Sequence, residues 1–267
     1  MAVKCSRIME WFNKKWPEEL ACGWDNVGLL AGRTDKEVHK VYIALDATDA
    51  VVTAAIESGA DMLLTHHPLI FSPLKKVTDT DLVGRRILRL IQADISYYAG
   101  HTSFDIARGG MADLAAELFG CFEEGTEPLE ETGEQEGAPV GVGKVGNLKE
   151  SLSVEELAFL VKERFSIPAV TVYCRDKKQK VTRIAVSPGS GKGMAKEAAA
   201  KGAQVLITGD MGHHDGLDIM EDGLALIDAG HYGLEHIFAD KVAEELLEVG
   251  FGLEIIKAPL AYPCQVF

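Results

Sequence analysis

The chain of 267 residues is long enough to bury a full core and fits one large domain or two modest ones. Its composition, 47% apolar and 25% charged, is that of an ordinary globular protein, and it has no apolar run of the roughly eighteen residues needed to cross a membrane. A net charge of −14 argues against non-specific nucleic-acid binding through a general basic surface.

Lys75-Lys76, Arg85-Arg86 and Lys177-Lys178 stay open as solvated surface or as local anion contacts. The five cysteines (Cys5, Cys22, Cys121, Cys174 and Cys264) are scattered and form no C-x-x-C. That pattern suits reduced thiols of a cytoplasmic protein. The first residues lack the apolar stretch of a secretion signal.

In chain order, Ser6 to Lys15 is predicted as an amphipathic helix, followed by Trp24-Asp-Asn-Val-Gly-Leu-Leu30. Residues 41–46 read as a buried strand, and Asp49 to Ser58 as a helix stopped by Gly59. Met62 to Thr65 is the next strand, ended by His66-His67-Pro68. A second stretch follows the same plan. Val154 to Arg164 is a helix with Ser153 and Glu156 placed for a capping box. Thr182 to Ser187 is a strand, Gly193 to Lys201 a helix, and Val205 to Thr208 a strand followed by Gly209-Asp210-Met-Gly-His213-His214.

The two stretches correspond further. Ser96-Tyr-Tyr-Ala-Gly-His101-Thr-Ser-Phe-Asp105 matches Leu226-Ile-Asp-Ala-Gly-His231-Tyr-Gly-Leu-Glu235, and helices follow both, Gly110 to Phe119 and Ile237 to Leu247. Alternating strands and helices predict an α/β fold with mainly parallel pairing, arranged as two similar α/β lobes from an internal repeat. The expected organisation is a first lobe over residues 1–120, an acidic connector over 121–140, and a second lobe over 141–267 whose last segment returns to the first. The connector carries seven glutamates and no Lys or Arg, a composition that predicts a mobile link or surface excursion.

Imidazoles and carboxylates at the ends of core strands are the ingredients of a divalent metal site. His231 and Glu235 are four apart, so one helical turn puts both on one face, and His101 and Asp105 share that spacing. Adjacent His66 and His67 diverge, which suits two neighbouring ions better than one. The five donors His66, His67, Asp105, His231 and Glu235 exceed the usual three of a mononuclear catalytic zinc site. Asp105 or Glu235 would bridge the pair. His101 is expected as an outer partner rather than as a ligand.

His213 and His214 either line a pocket, with His214 as a proton carrier, or form a polar surface loop. Gly189-Ser190-Gly191-Lys192-Gly193 lies between a strand and a helix and is either a tight turn or an anion cradle, with Gly189, Ser190 and Gly191 as the residues that would bind substrate. It lacks the spacing of a P-loop. His39 and His236 carry no signal of their own.

At these residues the chain resembles the Nif-three-like dinuclear metal proteins, also known as GTP cyclohydrolase I type 2 homologues. The matching stretches are Trp24-Asp-Asn-Val-Gly-Leu, Leu45-Asp-Ala-Thr, Leu64-Thr-His-His-Pro-Leu-Ile-Phe71, His101-Thr-Ser-Phe-Asp105, Gly141-Val-Gly-Lys-Val-Gly146, Thr208-Gly-Asp and Asp228-Ala-Gly-His-Tyr-Gly-Leu-Glu-His236. The resemblance implies a pair of divalent metal ions (zinc, iron or manganese) in the cleft between the lobes, held by His66, His67, Asp105, His231 and Glu235. It also implies a toroidal homohexamer and a metal-dependent hydrolase acting on a nucleotide or related heterocycle, with GTP ring opening and formate release as the named reaction, in which His101 or His214 would shuttle protons. The competing reading is a non-enzymatic ring that stores or delivers metal or binds a partner.

Overall fold

The computed structural model describes residues 2–266. In chain order its elements are β1 (Val3–Lys4), α1 (Cys5–Lys15), β2 (Gly28–Ala31), β3 (Glu37–Val38), β4 (Lys40–Ala44), α2 (Asp49–Glu57), β5 (Met62–Thr65), α3 (Leu82–Gln92), β6 (Ser96–Ala99), α4 (His101–Ile106) and α5 (Met111–Phe119). Then come β7 (Glu127–Gln135), β8 (Ala138–Ser153), α6 (Val154–Arg164), β9 (Thr171–Tyr173), β10 (Lys180–Ser190), α7 (Met194–Ala200) and β11 (Val205–Gly209). The chain finishes with α8 (His213–Glu221), β12 (Ala225–Asp228), α9 (His231–Glu235), α10 (Ile237–Glu248) and β13 (Glu254–Lys257). The fold is mixed α/β. No helix among the described residues is long and apolar enough to cross a membrane.

The described residues form two compact units, one of residues 2–104 and 238–260, the other of residues 105–237 and 261–266. In the first unit a five-stranded sheet runs in the order β13-β4-β5-β6-β2. Strands β13, β4, β5 and β6 are parallel, and β2 joins antiparallel at the edge. Residues Val41 to Ala44 of β4 and all four residues of β5 are buried, as required when both faces of a parallel sheet are covered. One face packs in a cluster with Tyr42, Leu63, Tyr97, Val52 and Leu90. Beneath Tyr98 lie the aromatic rings of α1, with Phe12 at 5.0 Å from Tyr98 and 4.7 Å from Trp16. Cys5, Ile8 and Phe12, spaced three and four apart, form the buried stripe of that helix.

In the second unit a six-stranded sheet runs β7-β8-β10-β11-β12-β9. Strands β10, β11 and β12 are parallel, and β9 closes the edge antiparallel. Alternate residues face opposite sides: Ile184, Val186, Val205, Ile207 and Ile227 join one core, while Ala185, Leu206 and Leu226 join another. Helix α6 starts with the capping box predicted for Ser153 and Glu156.

The division differs from the expected one at residue 120. Helix α5 belongs to the second unit, because Ala115 and Phe119 share a core with Phe122, Leu157 and Val161 and Asp113 pairs with Lys144 at 2.6 Å. The expected connector is not a loose link either, since β7 and the start of β8 form an antiparallel hairpin on the sheet edge. Its turn is Glu136-Gly137, both with positive φ (54° and 74°), the geometry of a two-residue hairpin turn. Leu129 is buried, and Glu127 bonds Arg183 at 2.6 Å, so neighbouring basic residues of the sheet neutralise part of the acidic run.

Candidate metal centre

Strand register brings the first group of donors together. In the first unit β4, β5 and β6 end level, with Ala44 opposite Thr65 and Thr65 opposite Ala99. His66 and His67 follow Thr65, and His101 follows Ala99 by two residues. They therefore emerge side by side at the carboxyl ends of adjacent parallel strands, where ligands of such sheets gather. Donor atoms of His66, His67 and His101 lie within 4.8 Å of one another. His66 is fully buried, its ring 5.1 Å from Phe238 and 6.1 Å from Phe104. A Cβ at Gly100 would come 2.3 Å from Phe12, so only glycine lets the chain turn into α4 over that ring.

Two of these imidazoles are buttressed by carboxylates. Asp46, just past β4, accepts a hydrogen bond from His67 Nδ1 at 2.7 Å. Because β2 is antiparallel to β6, with Gly28 opposite Ala99, the residues before β2 reach the same end of the sheet. Asp25 there accepts from His101 Nδ1 at 2.8 Å and from the Thr102 N–H at 3.0 Å and hydroxyl at 2.5 Å. Burial pushes the Asp25 carboxyl up, but these donors and the His101 charge outweigh it and hold it at about 2. An Nδ1–H given to a carboxylate sets the tautomer in which Nε2 carries the lone pair a metal requires. The His66-His67 turn is itself pinned by Tyr97, whose hydroxyl donates to the His67 carbonyl at 2.9 Å and accepts from the Leu69 N–H at 2.7 Å. Burial pushes that phenol up to about 12, so it remains a donor.

The second unit repeats the device with other donors. Strands β11 and β12 end level, with Thr208 opposite Asp228. Asp210 follows β11 and His231 follows β12, and His231 Nδ1 gives its hydrogen bond to Asp210 at 2.8 Å. One turn along α9, Glu235 Oε2 lies 2.9 Å from His231 Nε2. Glu235 is 3% exposed, and it offers a carboxylate oxygen within 4.8 Å of one from Asp105. Burial pulls the His231 pKa down, but bonds and charges from Glu235 and Asp210 override it and raise it to about 9. Without metal this ring is an imidazolium between two carboxylates.

Glycines make this packing possible. A Cβ at Gly209 would sit 2.5 Å from the His231 nitrogen, and one at Gly189 would sit 2.5 Å from Glu235 Oε1. Asp210 holds φ +58°, a left-handed conformation uncommon outside glycine, and strain of this kind gathers at functional sites.

The turn Gly189-Ser190-Gly191 is thus a close-approach element beside His231 and Glu235. The Gly191 N–H donates to the Gly209 carbonyl at 3.2 Å. His213 and His214 lie exposed on the first turn of α8, their ring centroids 5.3 Å apart, and neither joins a donor cluster among the described residues. His101, expected as an outer partner, stands as close to His66 and His67 as a third ligand would. The residues that sequence reasoning passed over are Asp25, Asp46 and Asp210. Their signal was present, since each sits inside one of the motif stretches, Trp24-Asp25, Leu45-Asp46 and Thr208-Gly-Asp210.

Fold and donors together define an α/β protein whose parallel strands end in clusters of imidazoles and carboxylates that could hold a metal ion. The chain belongs to the Duf34/NIF3 (NGG1p interacting factor 3) family, whose model matches residues 3–261. It is 36% identical over 232 residues to a protein of Clostridium perfringens named GTP cyclohydrolase 1 type 2 homolog, covering 87% of each chain. A Streptococcus pneumoniae protein of the same name is 36% identical over 241 residues, covering 89% of this chain and 88% of that one. Among solved structures, a Bacillus cereus protein related to NIF3 superposes with a TM-score of 0.91 at 26% identity, covering 99% of both chains. Reduced HcgD from Methanocaldococcus jannaschii gives 0.82 at 32% identity, covering 96% of this chain and 98% of that one.

Proposed function

We propose that this protein is a metal-dependent hydrolase of the GTP cyclohydrolase I type 2 kind, acting on a nucleotide or a related heterocycle. In this reading His66, His67, Asp105, His231 and Glu235 hold a pair of divalent ions, of zinc, iron or manganese. The observation that carries it is the triplet of imidazoles at the ends of β5 and β6, with His67 turned by a carboxylate on Nδ1 so that its Nε2 is left for a metal, and His101 turned the same way by Asp25 beside it. Mixed nitrogen and oxygen donors suit those three metals alike. Bound divalent metal would supply Lewis acidity and lower the pKa of a water toward about 7.

The chain's own residues would do the rest. Glu235 and Asp105 bring negative charge to the ions. His101, held by Asp25, is placed to take and return a proton at Nε2, and His214 is the second proton carrier in this reading. Gly189, Ser190, Gly191 and His213 would line the substrate's path. The working assembly in this proposal is a toroidal homohexamer in the cytoplasm. The name carried by the relatives in Clostridium and Streptococcus supports a GTP-like substrate.

Elemental analysis of the purified protein, together with a turnover screen over GTP and other nucleotides, tests the reading. The expected result is two ions per chain and formate released from GTP in a chelator-sensitive reaction. Metal-loaded protein inert on every nucleotide would instead favour a ring that stores or delivers metal.

A further inference from the structure

Two large aromatic side chains of the first unit stand in solvent beside the imidazole cluster. Trp24 is 60% exposed and Phe71 is 53% exposed, whereas the neighbouring Phe12, Trp16 and Phe104 are fully buried. The Trp24 and Phe71 rings lie 5.8 Å apart with planes inclined at 46°. Both meet His101 nearly edge-on, Trp24 at 6.0 Å and 70° and Phe71 at 6.5 Å and 71°. We propose that Trp24 and Phe71 form a stacking platform for the flat heteroaromatic ring of the small-molecule substrate. This rests on the hydrolase reading and adds to it the part of the substrate that the first unit grips.

The platform is built rather than incidental. The Asn26 side chain donates from Nδ2 to the Ile70 carbonyl at 2.5 Å, tying the chain beside Phe71 to the chain beside Trp24. The Asn26 N–H donates to Asp25 Oδ1 at 2.7 Å, and the Asp25 N–H to the Cys22 carbonyl at 2.8 Å. The Cys22 N–H donates to the Thr102 hydroxyl at 2.9 Å. The same Asp25 carboxylate holds His101. One hydrogen-bonded scaffold therefore sets the two rings and the imidazole together, so little ordering is left to oppose binding.

The ligand class follows from the surfaces. Exposed aromatic faces bind other π faces by stacking, and this tolerates any base. The imidazoles at the edge of the platform meet the polar rim of a heteroaromatic ring, which an aliphatic or purely hydrocarbon group lacks. Trp24, Phe71 and the imidazole cluster are continuous through His101, so a ring on the platform would lie next to the proposed ions.

The test is calorimetric titration of the full-length, metal-loaded protein with guanosine, adenosine, cytidine and ribose 5-phosphate, with metal content and oligomeric state measured on each sample. At least one nucleoside is expected to bind, and ribose 5-phosphate to bind at least about tenfold more weakly. Trp24→Ala and Phe71→Ala should each weaken the nucleoside by about tenfold at unchanged metal content, while Trp24→Phe keeps most of the affinity. Nucleoside binding unaffected by either alanine variant would overturn the platform, as would failure of all three nucleosides to bind metal-loaded protein. A Trp24→Ala variant that changes only the oligomeric state would identify the face as a contact between copies of the chain. Loss of metal from the wild-type protein would count against the hydrolase reading alone, because the nucleoside titration still reads the platform.

Discussion

The two units solve one problem with different side chains. Each ends its parallel strands level, sets a histidine just past one strand, and turns it with an aspartate from just past the next: Asp46 on His67, Asp210 on His231. The first unit adds imidazoles, His66 and His101, within an aromatic shell. The second adds carboxylates, Glu235 and Asp105. The difference shows in protonation. In the first unit Asp25 is held ionised down to about 2, and in the second His231 is held protonated up to about 9. The shared backbone device fixes where donors emerge, and the residue types decide what charge each cluster carries.

The comparison can be broken most forcefully by removing one donor from each unit. His66→Ala with Glu235→Ala should abolish stoichiometric metal in elemental analysis while circular dichroism stays close to wild type; unchanged metal content would show that these donors are not ligands. Next comes the close approach peculiar to the second unit. Gly209→Val forces a side chain against the His231 backbone nitrogen and should cost on the order of 3 kcal/mol, read as a lower denaturant midpoint. A variant as stable as wild type would mean that the end of β11 can move aside. The buttresses should then behave alike, with Asp46→Asn and Asp210→Asn each weakening metal affinity by about 10- to 100-fold in competition with a chelator. An effect of only one of the two would break the parallel.

Opposite pH windows sharpen it further. His231 has a raised pKa, so its stabilisation of metal-free protein is full below the unfolded value of about 6.5 and is lost as pH rises through about 9. Partial exposure limits it to about 2 kcal/mol. Asp25 has a lowered pKa, so its contribution is present above about 4 and is lost as pH falls toward about 2, again by about 2 kcal/mol. Asp25→Asn should flatten only the acid limb of a stability–pH curve and His231→Gln only the alkaline limb. Flattening of the same limb by both would contradict the assigned causes. The smallest effect is remote from the donors: Ser153→Ala removes the α6 cap and should cost about 1 kcal/mol with metal content unchanged.

Much of this was legible in the residues. Buried parallel strands announce themselves as short apolar runs, which is why β5 (Met62–Thr65) and β11 (Val205–Gly209) emerge nearly residue for residue. The donors follow them directly because strand ends are where side chains leave the sheet. The buttressing aspartates were harder to see, because their partners lie 21 residues away for Asp46 and Asp210 and 76 for Asp25. The hairpin of β7 and β8 was obscured because an edge strand buries little beyond Leu129 and so shows no apolar rhythm. Its Glu136-Gly137 turn was the overlooked cue.

The amino-acid sequence by itself determined the types of the strands and helices that carry the donors, the donors and the glycines beside them, because these depend on local periodicity, turn chemistry and side-chain identity. Tertiary structure decided the register that levels Thr65 with Ala99 and Thr208 with Asp228, and hence which aspartate steadies which histidine. It also decided that residues 238–260 join the first unit, through β13 pairing with β4, while α5 joins the second. Those outcomes rest on pairing and burial between segments far apart in the chain, where the free energy belongs to the contact rather than to either segment alone.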